Sequence, residues 1–176
     1  MFNLKIIYSK YLNHNLNNKY LIFINISTQC LTLYKNFESI IQYKISSSKY
    51  GEGSEIGSYK TPLGAHYIKE VIGIDVNPLT IFKERVATRE IAQVISKKIS
   101  TNTDVICSRI LWLDGLDEGK NKGSNCDSYK RFIYLHGTNE EGLLGEKASH
   151  GCIRMSNNDI IELCNNDIIN TFVYIS

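Results

Sequence analysis

Short apolar runs, dense in β-branched and aromatic residues and separated by polar segments, restrict this chain more than any other feature. The chain has only 2 prolines in 176 residues, and its many Ile, Tyr, Thr and Val residues predict a β-rich protein. Residues 20–26 (YLIFINI) read as a buried strand, and 31–35 (LTLYK) as its hairpin partner. Ile40 to Ser46 is a third extended stretch, and AHYIKEVIGI after Gly64 resumes the pattern. VICSRILWL (105–113) is a buried strand, KRFIYL (130–135) a strand ending directly at His136, and TFVYI (171–175) a closing strand. Ile91, Ile95 and Ile99 fit a helical stripe, yet the β-branched density over 83–100 favours irregular extended structure. Ser156 to Cys164 predicts a short helix, with Ser156 as N-cap, Asp159 three residues on, and Asn165-Asn166 as its end. The fold expected is mainly β, a sandwich or open barrel of mixed sheets with one or two short helices.

The connecting segments carry their own signals. SSSKYGEGSEIGSYK predicts an exposed, mobile loop, and Thr61-Pro62-Leu63-Gly64 a turn in which proline sets φ and glycine can take positive φ. Asp117 to Lys122 reads as a solvated turn. No repeat or clear linker divides the chain, so residues 19–176 are expected to form one domain behind a loosely ordered extension, 1–18. A net charge of +2 with both signs scattered excludes the basic stripe of a nucleic-acid binder. No apolar run is long enough for a membrane span. MFNLKIIYSKYLNHNLNN has neither the apolar centre nor the cleavage site of a secretory signal. The 5 cysteines are odd in number and without CxxC spacing, which suits a reducing compartment rather than a disulfide framework. A cytoplasmic location is therefore expected; the alternative is periplasmic, if the start is misassigned or a signal has been removed.

The stretch with chemistry in it is His136-Gly137-Thr138 followed by Ser149-His150-Gly151-Cys152-Ile153-Arg154-Met155. An ordinary thiol, with a pKa of about 8.5, needs a base or a cation beside it to become a nucleophile at neutral pH. A His at a strand end and a Cys on a later loop can be brought together by the fold. Gly151 leaves the approach to Cys152 open, and amides at such a turn can bind a developing oxyanion. From the residues alone, this is a thiol nucleophile with an imidazole nearby.

SHGCIRM preceded by HGT closely resembles the active-site block of the L,D-transpeptidase (YkuD-type) catalytic domain. TPLG at 61–64 resembles the TPxG turn of that family, and NTFVYI its closing strand, so the resemblance spans roughly residues 20 to 175. It implies the β-sandwich form of the fold. It also implies Cys152 as nucleophile, His136 as general base, and the Gly137 carbonyl as the group that orients the imidazole. The amides of His150, Gly151 and Cys152 would line an oxyanion hole, while Ser149 and Arg154 shape the site. The fixed guanidinium of Arg154 would suit a substrate rich in carboxylates. The implied partner is a peptidoglycan stem tetrapeptide or its soluble precursor, attacked by a monomeric enzyme without cofactor or metal. Cleavage between the position-three diamino acid and terminal D-alanine would give 3→3 cross-links, D-amino-acid exchange or, with water, tripeptide. A cytoplasmic member would reach only precursors or recycled muropeptides, as an L,D-carboxypeptidase. Where the family often has Gly before the last strand, this chain has Asn170, which can take the same positive φ.

Plainer readings stand beside these. A non-catalytic wall-binding module would keep the fold, and a thiol hydrolase of another class would cleave ordinary L-peptides. His136, His150 and Cys152 as zinc ligands would match no common spacing. His66 is expected to be a half-buried strand residue and His14 solvated. Cys30, Cys107, Cys126 and Cys164 are expected to be structural, with Cys164 packing apolar surface behind Cys152. Trp112 is expected in the core or on a groove wall. Residues 137–148 are either a lid hinged at Gly137, Gly142 and Gly145 or an ordinary surface loop.

Overall fold

The computed structural model describes residues 3–101 and 103–176. Ten strands form one mixed sheet: β1 Asn17–Asn25, β2 Cys30–Lys35, β3 Glu38–Ser46, β4 Gly64–Ile72, β5 Thr80–Lys83, β6 Val86–Ile91, β7 Ile106–Gly115, β8 Tyr134–Thr138, β9 Ile153–Met155 and β10 Thr171–Ile175. Helix α1 covers Leu4–Tyr8 and α2 covers Asn157–Cys164. The strand order is β4-β10-β1-β2-β3-β9-β8-β7-β5-β6, and a further pairing of β4 with β7 closes the two faces on each other. Only β1–β10 and β8–β9 are parallel. The β5–β6 hairpin hangs from β7 outside that closed ring.

Period-two alternation explains why the central strands read as unbroken apolar runs: each is buried on both faces. In β1, Tyr20, Ile22 and Ile24 enter the main core, while Leu21 and Phe23 pack on the opposite side with Leu4 and Tyr8 of α1 and with Phe172. The extension, which the sequence leaves loosely ordered, thus carries a helix that covers one sheet face. In β7, Leu111 and Leu113 enter the main core, whereas Ile110 and Trp112 face a second, aromatic cluster with Phe82 and Tyr134. Helix α2 closes the main core with Ile160 and Leu163, and Ser156 caps it by accepting from the Asp159 amide at 3.1 Å.

Several elements differ from the sequence expectation. The strand placed at 130–135 begins at Tyr134, and His136 lies in its middle rather than beyond its end. Phe132 has a φ of 58°, so the chain turns there instead of extending. Strands β5 and β9 carry no expectation, being too short for a periodic signal, and Val86–Ile91 is a regular strand within a stretch expected to be irregular. The helix ends with Asn165 in right-handed geometry, and Asn166 Nδ2 donates to the carbonyls of Glu162 and Leu163, both at 3.3 Å. The loop after β3 is not loose at its base. Ser47 and Ser48 are buried, Ser48 Oγ donates to Tyr59 O, and the Lys49 amide donates to Ser149 O at 3.1 Å. The 117–122 turn is likewise a plug, for buried Asn121 donates from Nδ2 to Leu63 O and Ala65 O at 2.9 and 3.0 Å.

Candidate active site

The register of three short strands brings the motif residues together. Parallel pairing sets Leu135 beside Ile153 and His136 beside Arg154. Leu135, Ile153 and Met155 point into the main core. Alternation therefore turns Tyr134, His136, Arg154 and the preceding Cys152 to the opposite face. On that face Cys152 packs against the cluster of Phe82, Ile110, Trp112 and Tyr134. Trp112 stacks on Tyr129 with ring centroids 4.1 Å apart and meets Tyr134 edge-on at 5.5 Å. Of the two places expected for Trp112, the structure gives the core, in a buried aromatic cluster.

His136 is buried, and its Nδ1 lies 2.9 Å from Gly137 O. A carbonyl only accepts, so Nδ1 carries the proton and Nε2 is left with its lone pair. Burial lowers the imidazole pKa, outweighing the Asp104 charge and the Gly137 hydrogen bond, so the ring is neutral below the usual histidine range. Burial also pushes the Cys152 thiol up, to about 12, although the Tyr134 amide and the cations Arg154 and Arg131 act the other way. The thiol donates to Phe132 O at 3.3 Å. Burial thus favours the uncharged form of both groups.

Gly137 is needed for space. A Cβ there would stand 2.6 Å from Asn157 Oδ1 and 2.6 Å from Cys107 O. Asn157 is the hub behind it, with Oδ1 accepting from Ser108 Oγ at 2.6 Å and Nδ2 donating to Thr138 O at 2.8 Å. Gly151 is needed for conformation instead: its φ is +126°, and a Cβ would meet nothing closer than 3.6 Å. Ser149 braces the same turn, donating from Oγ to Cys152 O at 2.6 Å and accepting from the Gly151 amide at 3.2 Å. The Gly151 amide is therefore engaged, while the amides of His150 and Cys152 have no acceptor among the described residues. From the TPLG turn, Thr61 Oγ1 donates to Gly151 O at 3.0 Å and accepts from the Ser48 amide at 3.0 Å. The turn thus reaches the Cys152 loop directly, through a side chain that the sequence marks only as part of a bend.

Arg154 requires a correction. Its guanidinium is buried, with Nε 2.9 Å from Asp104 Oδ1 and Nη1 2.9 Å from Glu140 Oε2. Two carboxylates of the chain itself neutralise it in a buried setting, so it fixes the Asp104 and Glu140 side chains rather than standing open to a substrate. Asp104 also accepts from His150 Nδ1 at 2.9 Å. Burial raises the Asp104 pKa, but His136, Arg154 and His150 more than offset that and hold the carboxyl below its ordinary range. Neither Asp104 nor Glu140 was identified from sequence; Asp104 sits in an irregular stretch with no motif around it.

The 137–148 segment is pinned and is no lid. Gly142 N donates to Ile95 O at 2.9 Å, Gly145 N to Ile45 O at 2.8 Å, and Ser46 Oγ to Leu143 O at 2.8 Å. His66 is fully buried rather than half-buried, and His14 lines two cavities of about 310 and 520 Å³ beside the extension that hold none of the motif residues. A cleft of about 250 Å³ beside the motif is lined by Tyr59, Arg131, Phe132, Ile133 and His150. All five cysteines are free, and Cys164 packs against the main core. Among the described residues no group of three or more His, Cys, Asp or Glu side chains is placed to hold a metal ion, and His150 turns its Nδ1 to Asp104.

The model of the YkuD family, the L,D-transpeptidase catalytic domain, matches residues 19–175. The chain belongs to that family. Solved structures with the same fold include L,D-transpeptidase 3 from Mycobacterium tuberculosis with a faropenem-derived adduct, at 15% identity and a TM-score of 0.56, covering 90% of this chain and 60% of that one. An L,D-transpeptidase from Mycobacterium smegmatis matches at 14% identity and a TM-score of 0.53, covering 90% and 58%. The Enterococcus faecium L,D-transpeptidase C442S mutant matches at 13% identity and a TM-score of 0.53, covering 90% and 50%. This chain thus spans between half and three-fifths of the length of these proteins. No curated protein matches it. The family's catalytic domain is this mixed β fold, and likenesses at such identity speak to fold alone.

Proposed function

We propose that this domain is a cysteine acyltransferase acting on peptidoglycan stem tetrapeptides. One observation supports this most: His136, its Nδ1 committed to Gly137 O at 2.9 Å, shares a sheet face with Cys152, and its Nε2 has no partner among the described residues. In the first step Nε2 takes the thiol proton as Sγ bonds to the carbonyl carbon of the position-three diamino acid. The oxyanion that forms meets the amides of His150 and Cys152. Collapse breaks the C–N bond, His136 returns the proton to the departing amino group of D-alanine, and a thioester remains. An amine acceptor then gives a cross-link or exchange, and water gives tripeptide, with His136 again moving the proton.

Mass spectrometry of a tetrapeptide digest tests the reading, since tripeptide, exchanged tetrapeptide and dimer differ in mass. Wild type should release D-alanine, and folded Cys152→Ala should release none. A wild type that leaves every tetrapeptide intact defeats the proposal.

A further inference from the structure

Four arginines differ in what their guanidinium meets. Arg154 is enclosed by Asp104 and Glu140. Arg131 spends its Nη2 on Lys60 O at 2.7 Å, and Arg109 its Nη1 on Ser108 O at 2.7 Å and Val76 O at 3.2 Å. Arg85 has another setting. It occupies the turn between β5 and β6, where Glu84 and Arg85 take φ of 50° and 69°, consecutive left-handed residues of the kind a tight hairpin requires. That turn folds the half-buried side chain back over the aromatic cluster. Its guanidinium carbon lies 5.0 Å from the Trp112 ring and 4.8 Å from the Phe132 ring, and Nη1 donates to Tyr134 Oη at 3.2 Å. Rings and phenol fix the guanidinium without supplying a counter-charge, and no carboxylate pairs with it among the described residues. A guanidinium has five N–H donors in a planar fork, and this one commits a single donor to Tyr134.

The groups that seat Arg85 also border the nucleophile. Phe132 O accepts from Cys152 Sγ at 3.3 Å, and Cys152 packs against the cluster containing Trp112 and Tyr134. We propose that Arg85 is a carboxylate subsite beside Cys152, taking a carboxylate of the peptide donor through its unused donors. This rests on the acyl-transfer reading for the identity of the ligand, though not for the existence of the site. The terminal D-alanine carboxylate lies one residue beyond the bond attacked, a reach of roughly 3.5 Å. It suits a cation seated on the aromatic cluster that Cys152 packs against. Hydrogen bonds between fork and carboxylate are of the charge-assisted kind and carry direction as well as attraction.

Three donors, compared on wild type, Arg85→Gln and Arg85→Lys, test the subsite: the tetrapeptide, its C-terminal carboxamide and its side-chain carboxamide. Wild type should prefer the free terminal acid over its amide by about tenfold or more in kcat/KM. Arg85→Gln should lose that preference and Arg85→Lys should keep part of it. A preference lost only with the side-chain carboxamide assigns the subsite to the diamino acid's carboxylate instead. Equal slowing of all donors, or none, overturns the proposal. A second readout needs no acyl transfer: alkylation of Cys152 by iodoacetate against neutral iodoacetamide, followed by peptide mass. Wild type should favour the anion severalfold more than Arg85→Gln does. If that difference appears while no peptide reacts, the acyl-transfer reading fails and the subsite stands; if both readouts are flat, the subsite fails.

Discussion

Two buried histidines, His66 on β4 and His136 on β8, have nearly the same surroundings and different prospects. Each directs Nδ1 to the backbone carbonyl of a glycine, Gly64 at 3.1 Å and Gly137 at 2.9 Å. Both glycines are required, Gly64 by a φ of +100° and Gly137 by packing, since a Cβ at Gly137 would stand 2.6 Å from both Asn157 Oδ1 and Cys107 O. Burial lowers both imidazole pKa values, that of His66 to about 4. The difference is the second nitrogen. His66 Nε2 accepts from Ser128 Oγ at 2.9 Å, whereas His136 Nε2 has no partner among the described residues and shares its sheet face with a thiol. A buried imidazole with both nitrogens satisfied fits a structural part, and one that keeps a nitrogen unspent fits the base proposed above.

Substitution separates the two most sharply. His136→Ala should cut acylation of Cys152 by a carbapenem about a thousandfold or more, as loss of a general base does. His66→Leu should leave the acylation rate of the folded protein nearly unchanged. It should lower the urea midpoint by the equivalent of about 1–3 kcal/mol, because Ser128 and the Gly64 carbonyl lose a buried partner. If His66→Leu abolished adduct formation at full folding, the division between the two sites would be wrong.

The pH response gives the next effect in size. The folded pKa of His66 is about 4, against about 6.5 for an unfolded histidine. Between those values the unfolded chain binds the extra proton, so stability is fully present above about pH 6.5 and is lost as the pH falls toward 4. The loss should reach about 3 kcal/mol near pH 4, read from chemical denaturation in wild type and absent from His66→Leu. The shift at His136 has the same sign, so stability falls with it in the same direction. Its kinetic counterpart is an acid limb of carbapenem acylation displaced below the usual histidine range. An acid limb at or above pH 6.5 contradicts a neutral, buried base.

The glycines give the smallest contrast. Gly64→Ala, through its positive φ, and Gly137→Ala, through overpacking, should each cost about 1–3 kcal/mol. Only Gly137→Ala should also slow acylation per folded molecule, since it moves the carbonyl that holds the base. Equal kinetic effects would mean that the carbonyl does not orient the imidazole.

Local regularity made much of this legible. The runs at 20–26, 31–35 and 105–113 are strands because strand propensity and burial on two faces act within a few residues, and Ser156 caps α2 through a contact three residues away. The Cys152–His136 constellation was legible as a motif. What surrounds it was not: Asp104 reaches His150 across 46 residues, and Thr61 reaches Gly151 across 90. No periodicity encodes such pairs, and the strand that aligns them, Ile153–Met155, is too short to signal itself. The fully enclosed Arg154 was misjudged for the same reason, because burial and ion pairing are properties of the assembled sheet.

By itself, then, the chain's sequence determined a β-rich domain, a capped helix, and a thiol and an imidazole in one recognisable block, all of which follow from short-range chemistry. The tertiary structure alone decided which histidine has a nitrogen without a partner among the described residues, which arginine is enclosed by two carboxylates and which one is seated on aromatic rings. Those outcomes depend on the parallel register of β8 with β9 and on the hairpin that folds Arg85 over Trp112, and each is a contact between segments far apart in the chain.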